Sequence, residues 1–435
     1  MDKSIIEANF PISFRADDAL SLGKNLQNRR NVVLVGMKRV GIGSFIRFFL
    51  YHPEISKTYI QDDQNHLFIP VDLNNLVERE IFPFWILTLK RIVDEVEKSP
   101  ILKDDVKKYI ESLFLDSIQS KDLFLLIESL RKSLVKIVES GVLPTIFFIR
   151  FDRMKDAATP EFFDNLQGLQ DATHQKLSYV FTSYRTLDKL SPEVFSRADI
   201  MDFCIEQYIK PETKTDSKTI LDISKERSKL KISNDVEEKL LEIVDGYYQY
   251  MQLALIYLHE HNLEAADLLS TLVKDERINL QSEELWESLN SSEQTVLVKA
   301  SKNSNLTESD FEEGKYLFDT GMLIQKNNQY DFFSPLFESF IKTRQTKTNG
   351  DNLSSVDFSK KEHTLFSFLQ KNLGMVCERE AIIATVWPEV DNLGVTDWAI
   401  DRLIARLRNK LKLQKSPLEI VTVKTRGYKL INANG

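Results

Sequence analysis

A glycine-rich segment near the start of the chain is the first candidate for chemistry. The apolar run Asn31–Val35 is followed by GMKRVGIGS, residues 36–44, and then by the helical stretch Phe45–Leu50. A strand, a glycine turn and a helix start together form a phosphate-binding loop, because backbone N–H groups of the turn and of the helix N-terminus converge on phosphate oxygens. The candidate nucleotide-binding residues are Gly36, Lys38, Arg39, Gly41, Gly43 and Ser44.

This loop departs from the phosphate-loop pattern at two positions. The pattern is G-x-x-x-x-G-K-[ST], and Gly36 and Gly41 have its spacing. Ile42 stands at the lysine position and Gly43 at the hydroxyl position. The lysine contacts the β- and γ-phosphates and the hydroxyl holds Mg²⁺, and neither residue here can do so. The sequence therefore predicts a loop that has lost hydrolysis.

The basic C-terminal end is the second candidate site. From Asn352 onward there are 13 Lys or Arg against 9 Asp or Glu, a net charge of +4. Because the whole chain has a net charge of −8, the residues before Asn352 have a net charge of −12. Within Ile400–Leu430 the counts are 9 basic against 2 acidic residues. This distribution indicates that only the tail meets a polyanion. A solvated basic face is the alternative interpretation.

One predicted helix in this tail, Val395–Leu411, has an apolar and a polar side. Its apolar stripe, at spacings of three and four, consists of Ile400, Leu403, Ile404, Leu407 and Leu411. The opposite side carries Trp398, Arg402, Ala405, Arg406 and Asn409. The candidate DNA-binding residues of the tail are Trp398, Arg402, Ala405, Arg406, Arg408, Lys410, Lys412, Lys424 and Arg426.

The elements that would position the glycine loop alternate between strands and helices. Strands are predicted at Asn31–Val35, His66–Val71, Thr145–Phe151 and Ser178–Thr182, because each is a short apolar run. Helical patterns separate them, for example Asp122–Glu139 and Pro160–Ala172, and another lies in the lead-in, residues 1–30. Such alternation predicts an α/β domain with a parallel sheet.

The middle of the chain has mostly helical periodicity. Helices are predicted at Asp235–Val244, Tyr248–His259 and Glu283–Ala300. The stretch Phe311–Phe333 is typical of a helix that ends at Gly321 and is followed by a hairpin with its turn at residues 327–328.

The tail itself is predicted to contain three helices and a hairpin. The helices are Lys361–Lys371, Arg379–Trp387 (ended by Pro388) and Val395–Leu411, and the strands are Leu418–Val423 and Tyr428–Ile431. Three helices and a C-terminal hairpin describe a winged helix. The stretch 342–361 is mostly polar and predicts a linker. The predicted domains are therefore 1–210, 211–280, 281–341, a linker at 342–356, and 357–435.

Two resemblances add to these patterns, and the first concerns the glycine loop. The segment VVLVGMKRVGIGSFIRFF resembles the loop V-G-P-R-R-x-G-K-T-S-L-L-R of AAA+-related signalling ATPases of the STAND group. Lys38 and Arg39 fall on the basic pair, and Ser44 on the final Ser. Similarity continues to about residue 340, where the segment from Leu285 resembles the winged helix that often follows. The resemblance implies a P-loop NTPase fold and, if any cofactor, ATP or ADP.

In that group a second strand ends in Asp-Glu, and this chain lacks the pair. If Asp152 is the first acid, Arg153 stands in place of Glu. If FDRM, residues 151–154, instead matches the segment that follows the pair, Ile149 and Arg150 replace both acids. Either alignment leaves no general-base carboxylate. A third strand end, Thr182–Arg185, lies where nucleotide-sensing residues occur in the group.

The second resemblance covers about 75 residues of the tail. The segments around VCERE (376–380), VW (386–387), IDRLIARLRNKL (400–411) and VKTRGY (423–428) are similar to the OmpR/PhoB-type effector domain of bacterial response regulators. The resemblance implies that the third helix enters the major groove and that the wing reaches the minor groove. Arg402, Ala405 and Arg406 would then face bases. Thr425 stands in place of the first wing glycine.

Composition limits the other classes of function. No apolar run approaches the roughly 18 residues of a membrane helix, and two distant cysteines argue against a disulfide framework and favour the cytoplasm. We therefore expect a cytoplasmic transcription regulator that binds double-stranded DNA, has no metal site, makes no membrane contact, and is not an enzyme. The alternatives are an ATP-driven switch whose nucleotide state controls DNA binding, and an adaptor that binds a protein partner through both winged helices. A protein contact through residues 281–341 is possible in any of these cases.

Overall fold

The computed structural model describes residues 5–195, 203–261, 264–326, 329–350, 358, 360–387, 397–414, 416–423 and 426–432. It describes the backbone alone at 345–350, 360, 397–399 and 413.

A parallel sheet organises the N-terminal half. Its strands in the described residues are β1 (Val32–Val35), β2 (Asn65–Asp72), β3 (Val142–Ile149), β4 (Ser178–Ser183) and β5 (Ile205–Tyr208). The order across the sheet is β2-β3-β4-β1-β5, so the strand before the glycine loop lies inside the sheet. Its residues are all buried, as the apolar runs predict. The predicted parallel α/β domain is confirmed.

Two details of this sheet differ from the prediction. β3 begins at Val142 and ends at Ile149, three and two residues before the predicted bounds, because Arg150 adopts a left-handed backbone with φ 62° and a 3-10 turn follows. β5 was not predicted, since it has only four residues and Glu206 and Gln207 interrupt its apolar pattern.

Helices cover both faces of the sheet. They are α1 (Ala16–Gln27), α2 (Ile42–Tyr51), α3 (Ile81–Lys98), α4 (Asp104–Ser120), α5 (Leu123–Glu139), α6 (Pro160–Ala172), α7 (Leu187–Leu190) and α8 (Pro192–Phe195). Alternate strand residues enter two cores. Leu34 and Phe147 pack with α1 and α2, whereas Val35 and Phe148 pack with α3 and α6. The alternation of side chains along a strand produces this division.

The middle region is largely helical. Its elements are α9 (Lys214–Ser228), α10 (Asn234–Val244), α11 (Tyr248–Glu260), α12 (Leu268–Leu272), α13 (Glu276–Glu287), α14 (Ser291–Ser301), α15 (Glu308–Glu313), α16 (Lys315–Asp319), β6 (Leu323–Lys326), β7 (Gln329–Phe332) and α17 (Pro335–Gly350). Its buried side chains continue the core on the α1–α2 side of the sheet. The predicted hairpin is present as β6 and β7, and its turn at 327–328 lies outside the described residues.

The single helix predicted at Glu283–Ala300 is wrong. Two helices, α13 and α14, occupy this stretch because Asn290 caps the second one. The N–H of Glu293 donates to the Asn290 side chain at 2.9 Å, and the N–H of Asn290 donates to the Glu293 carboxylate at 2.9 Å. This reciprocal capping box starts a new helix within an uninterrupted apolar periodicity.

The C-terminal region forms a separate unit. It contains α18 (Lys360–Lys371), β8 (Val376–Glu378), α19 (Arg379–Val386), α20 (Asp397–Leu413), β9 (Leu418–Val423) and β10 (Gly427–Asn432). The three strands pair in the order β8-β10-β9, and β8, with three residues, was not predicted. Leu365, Trp387, Ile404 and Tyr428 belong to a core that shares no residue with the cores of the body. The winged-helix prediction is confirmed.

Helix α17 extends into the segment predicted as a linker. It runs to Gly350, so its last turns cover part of 342–356, while residues 351–357 lie outside the described part. The domain bounds stay a prediction. In the described residues, no helix combines the length and the apolar character that crossing a bilayer requires.

Limited proteolysis of the full chain tests the division into two units. We expect the first cut within 342–361, because this stretch is polar and the cores on its two sides are separate. Mass spectrometry should then find a C-terminal fragment that resists further digestion. Cleavage that begins inside 31–210 and leaves the tail attached would contradict the division.

Candidate nucleic-acid interface and glycine loop

The glycine loop has the backbone geometry expected of a phosphate-binding turn. It leaves the buried end of β1 at Gly36, where an added Cβ would lie 2.8 Å from the Ile209 carbonyl oxygen. Arg39 has φ 62°, and Gly41 has φ 112° at the start of α2, a conformation that favours glycine. The six candidate residues therefore share one turn at the N-terminus of a buried helix.

Carboxylates of the protein occupy the surroundings of this helix N-terminus. The Ser44 hydroxyl donates to the Glu7 carboxylate at 3.3 Å, and Glu7 also pairs with Arg47 at 2.6 Å. A carboxylate oxygen of Glu212 lies 2.6 Å from where a Cβ on Gly41 would be. Burial raises the pKa of Glu212 to about 7, although Arg15 at 3.4 Å opposes this shift. A helix N-terminus attracts anions, and here they come from the chain itself.

The two basic residues of the loop have protein partners. The Lys38 ammonium lies 4.8 Å from the ring centre of Tyr184, and the Lys38 carbonyl accepts a hydrogen bond from Tyr247 at 2.6 Å. Arg39 donates to the Glu284 carboxylate on α13 at 2.9 Å. The loop is therefore joined to α13 through a side chain that the sequence suggested for phosphate binding.

Arg150 follows the last residue of β3, at the position where one of the two alignments expects an acid. The Arg150 guanidinium pairs with both carboxylate oxygens of Asp72 at 2.5 Å, and its backbone N–H donates to the Thr182 hydroxyl at 2.8 Å. Burial raises the pKa of Asp152, which lies in the 3-10 turn after the strand. The positive charge of Arg150 at the end of β3 is thus paired with Asp72 at the end of the neighbouring strand β2.

The end of β4 is also engaged by the middle region. Arg185 pairs with Glu293 on α14 at 2.6 Å and stacks 3.9 Å from the ring centre of Tyr316. Sequence reasoning missed Glu7, Glu212 and Glu293 as neighbours of this edge. They come from three distant segments, and the spacing of residues along the chain carries no signal of their approach.

Helix α20 presents the two sides that its sequence predicts. Its stripe of five apolar residues, Ile400 to Leu411, is at most 3% exposed. Arg402, Ala405 and Arg406 lie on the other side and are partly exposed. The Trp398 side chain, predicted to lie with them, is outside the described residues.

Carboxylates of two helices pair with the arginines of α20. Arg402 is 2.8 Å from Glu287 and Arg406 is 3.3 Å from Glu283, both on α13. Arg406 also lies 2.9 Å from Glu362 on α18, which is fully buried. The guanidinium groups that the sequence assigns to base contacts therefore face acidic residues.

Other predicted DNA-binding residues divide between internal and exposed positions. Arg408 donates to the Ile420 carbonyl and to the Thr422 hydroxyl, each at 2.8 Å, so it joins α20 to β9. Lys410 donates to Glu362 at 2.6 Å. Lys412 and Arg426 are exposed, and Arg426 lies 3.7 Å from Glu378. Lys424 is outside the described residues, as is Thr425.

The described residues contain no group of three or more His, Cys, Asp or Glu side chains that could hold a metal ion.

The tail is similar to a family of regulatory domains. Residues 353–430 match the family model described as "Transcriptional regulatory protein, C terminal". The transcriptional regulatory protein DltR of Streptococcus agalactiae is 34% identical over 77 residues, which are 18% of this chain and 34% of DltR. The chain thus spans about a third of the length of the curated relative it matches.

Solved structures similar to most of the chain, at low identity, include a Walker-type ATPase and an ORC2 protein. The Walker-type ATPase of Pyrococcus abyssi has a TM-score of 0.46 and 16% identity, with 75% of this chain and 95% of that chain covered. The ORC2 protein of Aeropyrum pernix, in ADPNP and ADP complexes, has a TM-score of 0.45 and 12% identity, with 80% and 99% covered. The P-loop NTPase-like assignment rests on the strand order and the glycine loop of this chain.

The contacts of Arg408 predict a structural effect. Arg408→Ala removes two hydrogen bonds between α20 and β9, so we expect the C-terminal unit to lose about 1–3 kcal/mol of stability. Lys412→Ala, an exposed residue four positions on, should change stability by no more than about 0.5 kcal/mol. Differential scanning calorimetry of both variants measures the difference, and equal melting temperatures would refute this role for Arg408.

Proposed function

We propose that the chain is a DNA-binding transcription regulator whose P-loop body does not hydrolyse nucleotide. The observation that carries the proposal is helix α20, whose inner face is buried in a winged helix while Arg402 and Arg406 lie on its outer face. The match of residues 353–430 to a regulatory-domain family supports it. DltR, which matches the same segment, is described as a transcriptional regulatory protein.

In this proposal α20 enters the major groove and reads bases. Arginine donates two hydrogen bonds to the O6 and N7 atoms of guanine, so Arg402 and Arg406 are the candidates for base readout, with Ala405 between them. Lys412 and Lys410 lie toward the end of the helix and would neutralise phosphates. Arg426, whose side chain is 64% exposed, would reach the backbone or minor groove from the wing. Arg408 positions the hairpin through its bonds to β9.

The glycine loop does not fit a hydrolysed nucleoside triphosphate. Ile42 cannot replace the phosphate-binding lysine, and Arg153 or Arg150, depending on the alignment, stands in place of the general-base carboxylate. The carboxylates of Glu7 and Glu212 lie beside the loop, next to Ser44 and Gly41. Repulsion between carboxylates and phosphates disfavours nucleotide binding as well, so we propose a structural role for the fold. It holds the middle region, and through α13 it contacts the C-terminal unit.

The purified full chain should therefore release phosphate from ATP no faster than a buffer control. The phosphate-binding lysine and the general-base carboxylate are both missing, and restoring one of these residues would leave the other absent. A coupled phosphate assay with Mg²⁺ provides the measurement. Steady phosphate release that Gly41→Leu abolishes would refute this part of the proposal, because a side chain there would meet Glu212.

DNA binding itself is tested with the full chain and with residues 352–435. Selection from random duplexes at low salt should retain a preferred site, because the tail carries its own core and a basic face. Arg402→Ala should weaken that site by about 1–3 kcal/mol and random DNA less.

Lys412→Ala is the matched variant for this test. It should weaken all sequences equally and reduce the salt slope by about 1, because a phosphate contact carries no sequence information. Gel shifts over a series of salt concentrations separate the two effects. If neither protein retains any duplex, the DNA-binding proposal is wrong.

A further inference from the structure

We propose that helix α13 masks the DNA-reading face of α20, so that the chain in this structure is an autoinhibited form. The inference rests on the proposed function and adds its regulation. It requires that α13 and DNA compete for the same side chains, and that the C-terminal unit can leave the body without unfolding.

Ion pairs join the body to the tail. Arg402 pairs with Glu287 at 2.8 Å, and Arg406 is 3.3 Å from Glu283. Lys361 on α18 pairs with Glu276 at 3.1 Å. Burial raises the pKa of Glu283 above its ordinary value, and the nearby Arg406 and Arg402 oppose this shift.

The three acidic residues lie along one helix. Glu276, Glu283 and Glu287 are separated by seven and four positions, a spacing that places them on one side of α13. Their carboxylates offer the same kind of acceptor that guanine and phosphate oxygens offer. The acidic side of α13 therefore occupies the position on α20 that a DNA duplex would take.

Burial of the arginines shows how complete the masking is. The Arg402 side chain is 12% exposed and that of Arg406 is 17% exposed, although both lie on the side of α20 that faces away from its own core. A recognition helix must insert this side into the major groove, which is about 12 Å wide. With α13 packed against it, the helix cannot enter.

The packing also indicates that the contact can open. No single cluster of buried apolar side chains spans this junction in the described residues, whereas ion pairs cross it. A cavity of about 360 Å³ lies there, with Glu276, Glu283, Phe340, Arg344 and Arg406 among its lining residues. Partly exposed ion pairs contribute little net stability, so the separation costs far less than unfolding.

The decisive variant is Glu283→Gln/Glu287→Gln in the full chain. This variant removes the two α13 carboxylates that pair with Arg402 and Arg406, and it leaves Glu362 on α18 unchanged. We expect fluorescence anisotropy to show affinity for a duplex at least about tenfold higher than that of the wild-type chain, because a masked state lowers apparent affinity by the fraction that is open. The control Glu312→Gln/Glu313→Gln has the same net charge and alters exposed residues of α15, so it should bind like the wild type.

A second measurement does not depend on DNA. The rate at which phenylglyoxal modifies Arg402, followed by mass spectrometry, should rise in the Glu283/Glu287 variant, while the rate at the exposed Arg426 stays unchanged. If wild type and variant bind DNA with equal affinity, the autoinhibition proposal is overturned. If no chain binds DNA, the proposed function fails, and the modification rate alone decides: a faster reaction at Arg402 supports masking by α13, and an unchanged rate overturns it.

Discussion

A carboxyl group removed from water needs a positive partner or a proton, and this constraint determines which surfaces of the chain remain available. Glu7 and Glu212 meet Arg47 and Arg15 beside the glycine loop, and the fully buried Glu362 meets Arg406 in the tail. Unpaired charges at such positions would be very costly. Each pair joins segments that are distant in the sequence. The same pairs that hold the segments together also occupy the groups that would otherwise bind a ligand.

Much of the fold follows from short-range patterns. Pro160–Ala172 and Leu418–Val423 have the bounds that their periodicity predicts, because a proline at the helix start and alternation in a strand act locally. Two strands that escape prediction, β5 and β8, have too few residues to show a period. The division between α13 and α14 depends on a reciprocal hydrogen bond at Asn290, and apolar spacing does not report it.

For the candidate DNA-binding helix, the sequence predicts the face that packs inward but not what covers the opposite face. The stripe from Ile400 to Leu411 identifies the face of α20 that packs inward, and the structure buries it. Periodicity cannot say what covers the opposite face, so the approach of α13 to Arg402 had no signal in the sequence. Arg408 shows the same limit, since the sequence offers it as a DNA-binding residue but β9 supplies its partners. At the glycine loop, the residue types alone indicated which groups were missing.

The buried Glu362 orders two of the basic side chains of α20. Because it belongs to α18, it holds Arg406 and Lys410 within the C-terminal unit whether or not α13 is present. Two long side chains that would otherwise sample many rotamers are therefore already ordered before they meet a partner. Ordering such a side chain at an interface costs about 0.5–1.5 kcal/mol. Because Glu362 already orders Arg406 and Lys410 in the folded unit, this entropy is lost when the unit folds and not when it binds a partner. The buried carboxylate thus makes the two cations a rigid, preorganised pair.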